Sequence, residues 1–243
     1  PEMLEDAKKA NVAVIMLTNH YRPPLDFITQ TWRGMHDSVL FIPGSEDLGF
    51  LLYPEASIMD KMKDEEGQFI KEVTQGEGLI FLSHVEERFN HPMDGLTGME
   101  IYNRHADAMD DIMALASLST VMVDPKRYAD FTALLEKYPD EMLASQCDYP
   151  ELYLTKFDKE TQERRLTGGA ANDCHHNMVM ITKMLDENTA GIGTIVDPDD
   201  GLRKVSAETT PSLREMFKDH KPGDIVAKLN FDPYYRSFLN EST

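Results

Sequence analysis

"GLIFLSH", residues 78–84, is an unbroken apolar run that stops at Ser83 and His84. A short apolar run without polar alternation suits a strand buried on both faces, as in a parallel sheet. The same pattern recurs outward from it, in "GMEIYN" (98–103), "SVLFIPG" (38–44), "VAVIMLT" (12–18), "STVMV" (119–123) and "AGIGTIV" (190–196). Helical periodicity fills the intervals: residues 2–10, "EGQFIKEVTQ" (66–75), "RHADAMDDIMALAS" (104–117), "PKRYADFTALLEKY" (125–138) and "PSLREMFKDH" (211–220). In 104–117 the apolar positions Ala106, Met109, Ile112, Met113 and Ala116 share a face. Asp124 before Pro125 and Thr210 before Pro211 are the expected N-caps. Strands alternating with helices predict an α/β layer or barrel. The tail from Gly223 is aromatic and strand-like. It reads as a final barrel strand or the start of a further region, which sets expected bounds of 1–222 and 223–243.

What ends each apolar run is more informative than the runs. "VIMLTNH" ends in His20, "VLFIPGSE" in Glu46, "LIFLSH" in His84 and "MEIYN" in Asn103, while "TGGAANDCHH" supplies Asp173 and His175. Carboxyl ends of parallel strands converge on one rim, where sites are built. Singly, each residue has an ordinary explanation: a capping histidine, a solvated turn glutamate. Their recurrence at strand ends favours a shared site. If residues 173–175 are extended, Asp173 and His175 point the same way and Cys174 points away. His, Asp and Glu without thiolates suit Zn²⁺, Mn²⁺ or Fe²⁺. "DPDDG" (197–201) lacks the full calcium-loop spacing and reads as a turn. There is no dinucleotide fingerprint and no P-loop.

Composition narrows the function classes. With 24 Lys and Arg against 43 Asp and Glu, the 243-residue chain has a formal charge of −19, which disfavours nucleic acid as a partner. Hydrophobic residues at 41% are enough for a substantial core. No apolar run approaches the roughly 20 residues needed to span a bilayer. Two cysteines, Cys147 and Cys174, make no disulfide framework and are not expected to pair with each other. The first residue is Pro1, so compartment is not readable, and neither is oligomeric state.

In this order the motifs resemble those of the PHP family, the polymerase and histidinol phosphatase superfamily of metal-dependent phosphoesterases. "LTNH" is similar to that family's T-D-H segment, "IPGSE" to its G-x-E, "GLIFLSHVEE" to its strand ending in S-H-P, "GMEIYN" to its G-x-E-x-Y-N strand and "NDCHH" to its closing D-x-H. The likeness covers roughly residues 10–178. It implies a distorted (β/α)₇ barrel with two or three divalent metal ions, Zn, Mn or Fe, at the carboxyl rim. It would make His20, Glu46, His84, Asp173 and His175 metal ligands and place Asn103 in the pocket. The implied substrate is a small phosphorylated molecule, and Arg22, Arg88 and Arg104, each close to a site position, are candidates for holding its phosphate.

The sequence departs from the family in three places. No H-x-H precedes "LTNH", which implies that the family's first strand is missing and activity weak or absent. Asn19 stands where Asp is usual, so it cannot raise the basicity of a partner imidazole as a carboxylate would. Val85 replaces a usual Pro. A non-catalytic metal-binding PHP-like domain and an amidohydrolase-type hydrolase are the alternative readings.

Overall fold

The computed structural model describes residues 2–61, 66–110, 112–145, 147–171, 173, 179–194 and 202–231. The chain forms two compact units, residues 1–103 with 149–171 and residues 104–148 with 172–243.

The first unit opens with α1 (Glu2–Lys9), β1 (Val14–Met16), β2 (Asn19–His20), α2 (Phe27–Gln30), β3 (Gly34–His36) and β4 (Val39–Ile42). It continues through β5 (Ser45–Asp47), β6 (Phe50–Tyr53), α3 (Glu66–Gln75), β7 (Leu79–Leu82), α4 (Val85–Arg88) and β8 (Gly98–Asn103). The second unit takes α5 (Arg104–Asp110), α6 (Ile112–Val121), α7 (Pro125–Lys137) and α8 (Pro139–Ala144). The chain then returns to the first unit for α9 (Glu151–Thr161) and β9 (Thr167–Ala171). It finishes in the second with β10 (Val179–Met184), β11 (Thr189–Thr194), β12 (Arg203–Ser206), α10 (Ser212–Phe217) and β13 (Ile225–Asn230).

The protein is therefore mixed α/β. Among the described residues the strands form three sheets, ordered β1-β4-β3, β2-β5-β6-β7-β8-β9 and β12-β11-β10-β13, and none of them closes on itself.

The six-stranded sheet positions the polar residues. β2 pairs with β5, β7 with β8, and β8 with β9 in parallel. β6 is antiparallel to both β5 and β7. Thus β2, β5, β7, β8 and β9 all run the same way, and their carboxyl ends share one edge. The apolar core on this sheet joins Phe50 and Leu52 of β6, Ile80 and Leu82 of β7, Met99 of β8, Val73 of α3, Val85 and Tyr153. Each large side chain buried there contributes about 1.5–3 kcal/mol. Gly98 is dictated by closeness: a Cβ built on it would lie 1.9 Å from the Thr167 carbonyl oxygen on β9.

The second unit has its own core, with Met184, Ala190, Ile192, Ala227 and Leu229 of the antiparallel sheet packed against Met122, Val123, Leu213 and Phe217.

Three local expectations are corrected. Residues 12–18 do not form a strand buried on both faces. Among the described residues β1 is an edge strand that pairs only with β4, and Val14 and Met16 remain 48% and 41% exposed. The α1 residue Ala7 packs with Val39, Phe41 and Ile15, so one face of this small sheet is covered. Residues 119–123 are not a strand: α6 runs to Val121, and the Thr120 hydroxyl donates to the Ser117 carbonyl 2.7 Å away. A short apolar run cannot distinguish strand from buried helix by periodicity. Thr210 does not cap α10, which spans only Ser212–Phe217. Pro211 is its cap, and the Thr210 carbonyl instead accepts from the Leu213 N–H.

By contrast, Asp124 caps α7 as expected, accepting from the N–H groups of Lys126 and Arg127 at 3.0 Å. "GMEIYN" and "EGQFIKEVTQ" form β8 and α3 with the expected bounds. The "DPDDG" turn and Cys174 lie outside the described residues. No helix among the described residues is long and apolar enough to cross a membrane.

Candidate metal centre

The site is built where β5 and β7 end. Glu46 sits in the middle of β5, buried, directly paired with His20 of β2. Its carboxylate meets two imidazoles. Oε1 lies 3.5 Å from His84 Nε2, and Oε2 lies 3.8 Å from His20 Nδ1. The glutamate side chain is only 10% exposed, whereas that of His20 is 56% exposed. His20 therefore reaches the carboxylate from the solvent side.

His84 is held from several directions. Its backbone is left-handed, with φ 47° and ψ 56°, a conformation that costs a non-glycine residue roughly 1–2 kcal/mol. The turn ends β7 and starts α4, and it is stabilised by a charge-assisted bond: the His84 N–H donates to Glu100 Oε2 at 2.9 Å. Glu100 is buried in the middle of β8 and also receives the Asn103 amide at 3.4 Å through both oxygens. The second imidazole nitrogen, Nδ1, lies 2.9 Å from Glu86 Oε1. The other oxygen of Glu86 accepts the Tyr153 hydroxyl from α9.

Carboxylates thus dominate the field. Hydrogen bonding to Glu46, then to Glu86, raises the His84 pKa to about 10. Burial alone would raise Glu86, but its bonds to His84 and Tyr153 outweigh that and hold it below the ordinary value. Burial, aided by the Glu46 charge, pushes Asp47 up. Burial likewise pushes Tyr53 up, with the Glu100 and Glu46 charges adding to it. Such a cluster requires a compensating cation, either a proton on His84 or a metal ion.

The expected site residues divide as follows. His20, Glu46 and His84 come together, and Asn103 is joined to them through Glu100. Asn19 is exposed beside His20, and its carbonyl accepts the Ser45 hydroxyl at 2.8 Å. Arg22 is exposed in the turn after β2. Arg88 lies at the end of α4, 3.2 Å from Glu87, with its guanidinium in the space that a Cβ on Gly49 would fill. Gly49 also has φ +85°, so it is glycine on both counts.

Arg104 belongs to the second unit, its side chain 3% exposed and paired with Asp107 at 3.3 Å. Asp173 is also grouped with the second unit, two positions past the last residue of β9. Its φ of 49° is left-handed, so Asp173 itself is not extended, while residues 174–175 lie outside the described residues. Asp is one of the few side chains that adopts this turn readily. His175 lies outside the described residues.

Sequence reasoning missed Glu100, Glu86 and Tyr153. Glu100 carried a usable signal, a carboxylate between Met99 and Ile101 inside an apolar strand. Glu86 reads like any acidic residue in the first turn of a helix, and Tyr153 is 67 positions away from it.

Comparison with known proteins gives no match: no family model, no curated protein and no solved structure aligns with the chain at a significant level.

Proposed function

We propose that the chain is a metal-dependent phosphoesterase that hydrolyses a small phosphorylated molecule, with Glu46 and His84 as central ligands and His20 beside them. The observation that carries this reading is the buried Glu46 carboxylate facing His84 Nε2 at 3.5 Å and His20 Nδ1 at 3.8 Å. Nitrogen and oxygen ligands at about 2.0–2.2 Å from one ion lie roughly 3–3.5 Å from each other, so Glu46 and His84 need little movement to share one.

The donor chemistry fits a borderline divalent ion such as Zn²⁺, Mn²⁺ or Fe²⁺, and the surplus of carboxylates favours positive charge there. Divalent ions in such a site supply Lewis acidity toward phosphate oxygens and lower the pKa of water.

The chain's own residues do the rest. Glu100 fixes the backbone turn that aims His84. Asn103 keeps Glu100 in place. Arg22, exposed beside β2, and Arg88, at the end of α4, are the arginines assigned to the substrate phosphate. With this assignment goes a PHP-like distorted (β/α)₇ barrel, a proposal supported by the five co-directional strands of one sheet.

The test is elemental analysis of the purified chain together with phosphate release from a panel of small phosphate esters in Mn²⁺ or Zn²⁺. Bound metal with weak turnover is expected, since no H-x-H precedes His20. Metal without turnover would favour the non-catalytic alternative, which Asn19 supports because an amide cannot act as the family's carboxylate. Neither metal nor turnover would sink the reading.

A further inference from the structure

We propose that Glu86, clamped by Tyr153, is the positioning residue that aims His84 at the metal, and that α9 serves as the brace of the site. This inference rests on the metal-centre reading above.

The geometry comes from both ends of α4. At its start, His84 Nδ1 and Glu86 Oε1 are 2.9 Å apart, which leaves Nε2 directed toward Glu46. A neutral imidazole that donates Nδ1–H to a carboxylate presents the Nε2 lone pair to a metal, and the carboxylate raises its basicity. Glu86 is on a short exposed turn, its side chain a third exposed, and unaided would sample several rotamers. The Tyr153 hydroxyl on its second oxygen removes that freedom, and Tyr153 itself is buried in the apolar core.

At the far end of α4, Lys156 follows Tyr153 by one helical turn and so lies on the same face of α9. Its ammonium donates to the carbonyls of Phe89 and His91 at 2.8 and 2.7 Å and is itself buried. A cation on carbonyls at a helix C-terminus is favourable. Two side chains of α9 therefore grip α4 at its beginning and just past its end, and His84 is the residue that this grip locates. The role is distinct from ligation: Glu86 meets Nδ1 of His84 and Tyr153 meets Glu86, so each acts through the histidine.

The experiment measures Zn²⁺ affinity by competition with a chromophoric chelator, and the visible spectrum of the Co²⁺-substituted protein, for the full chain and four variants. Glu86→Ala is expected to bind Zn²⁺ about 10- to 100-fold more weakly, the usual cost of losing a carboxylate behind a ligating histidine. Its Co²⁺ spectrum should change as well. Glu86→Gln, which keeps an acceptor for Nδ1–H, should recover part of the loss. Tyr153→Phe should weaken binding less than Glu86→Ala and in the same direction. Glu87→Ala, next to Glu86 but turned to Arg88, should bind as the unsubstituted chain does.

Equal Zn²⁺ affinity and an unchanged Co²⁺ spectrum in Glu86→Ala, with metal bound by the unsubstituted chain, would overturn this inference alone. Loss of affinity that Glu86→Gln does not relieve at all, in a variant whose unfolding midpoint has also fallen, would overturn it in favour of a purely structural role. Absence of Zn²⁺ uptake by the unsubstituted chain would overturn the proposed function and this inference together.

Discussion

The six-stranded sheet of the first unit and the four-stranded sheet of the second bury similar apolar side chains but treat polar ones differently. In the first, Ser45, Glu46, Ser83, Glu100 and Asn103 are all buried on the strands or just beyond their ends. In the second sheet, among the described residues, the buried polar side chain is Thr182, whose hydroxyl donates to the Met122 carbonyl at 2.7 Å. One hydroxyl with one carbonyl is an ordinary way to satisfy a core. Two buried carboxylates beside one histidine, Glu46 at its imidazole and Glu100 at its backbone N–H, are not, because desolvating each charge costs several kcal/mol unless it is paired. The first sheet therefore carries an expense that packing alone does not explain, and a cation is the simplest compensation.

The sharpest way to break this contrast is Glu46→Ala. Structural metal sites are worth roughly 10–16 kcal/mol shared over about four ligands, so removing one should weaken Zn²⁺ binding about 100- to 1,000-fold and abolish phosphate release. Isothermal titration of both chains checks it. Retained affinity would mean that Glu46 is buried for another reason.

The counterpart in the second unit is Leu229→Ala. Leu229 is 1% exposed in the core of the antiparallel sheet, and its truncation should cost about 3 kcal/mol in urea unfolding. Zn²⁺ affinity measured where the variant is still folded should not change. A fall as large as that of Glu46→Ala would erase the distinction between the two sheets.

The same contrast explains what could be read from the sequence. β7, β8 and α7 were legible because a local signal marks each: apolar runs that stop at a polar residue, and Asp124 before Pro125. The convergence of His20, Glu46 and His84 was legible because strand ends gather by topology. β9 was not, since "TGGAA" has no β-branched or aromatic enrichment and becomes a strand only through its ladder with β8. The exposure of β1 was hidden because apolar character says nothing of how many neighbours a strand finds. Glu86 and Tyr153 meet across 67 positions through a hydrogen bond that no local pattern announces.

Smaller effects sharpen the comparison at the helix caps. Asp124→Ala should destabilise the second unit by about 1 kcal/mol, since two N–H groups at the start of α7 lose their acceptor. The drop should appear in the urea midpoint with no change in Zn²⁺ affinity. A midpoint unchanged within error would mean that water satisfies those donors equally well.

The first unit's cap, Asp26, makes a finer prediction, in pH. Burial by itself would raise its pKa, but the Ser57 and Thr29 hydroxyls and the Ile28 N–H donate to its carboxylate and together hold it below the usual 3.8. The Thr29 bond is 2.7 Å and the Ile28 bond 3.1 Å. A carboxylate with a depressed folded-state pKa binds fewer protons than the unfolded chain near that pH, so stability rises with pH there. Its contribution is complete above the unfolded value and disappears as pH falls through the lower folded one. Asp26→Asn keeps an acceptor and a good capping residue, so its cost at neutral pH should be small. That small deficit should shrink between pH 4 and pH 2 (about the span of the titration) until the two chains unfold at the same urea concentration. A deficit that stays constant across the acid range would show that these donors do not distinguish the charged cap from the neutral one, and that α2 is held by packing of Ile28 rather than by its cap.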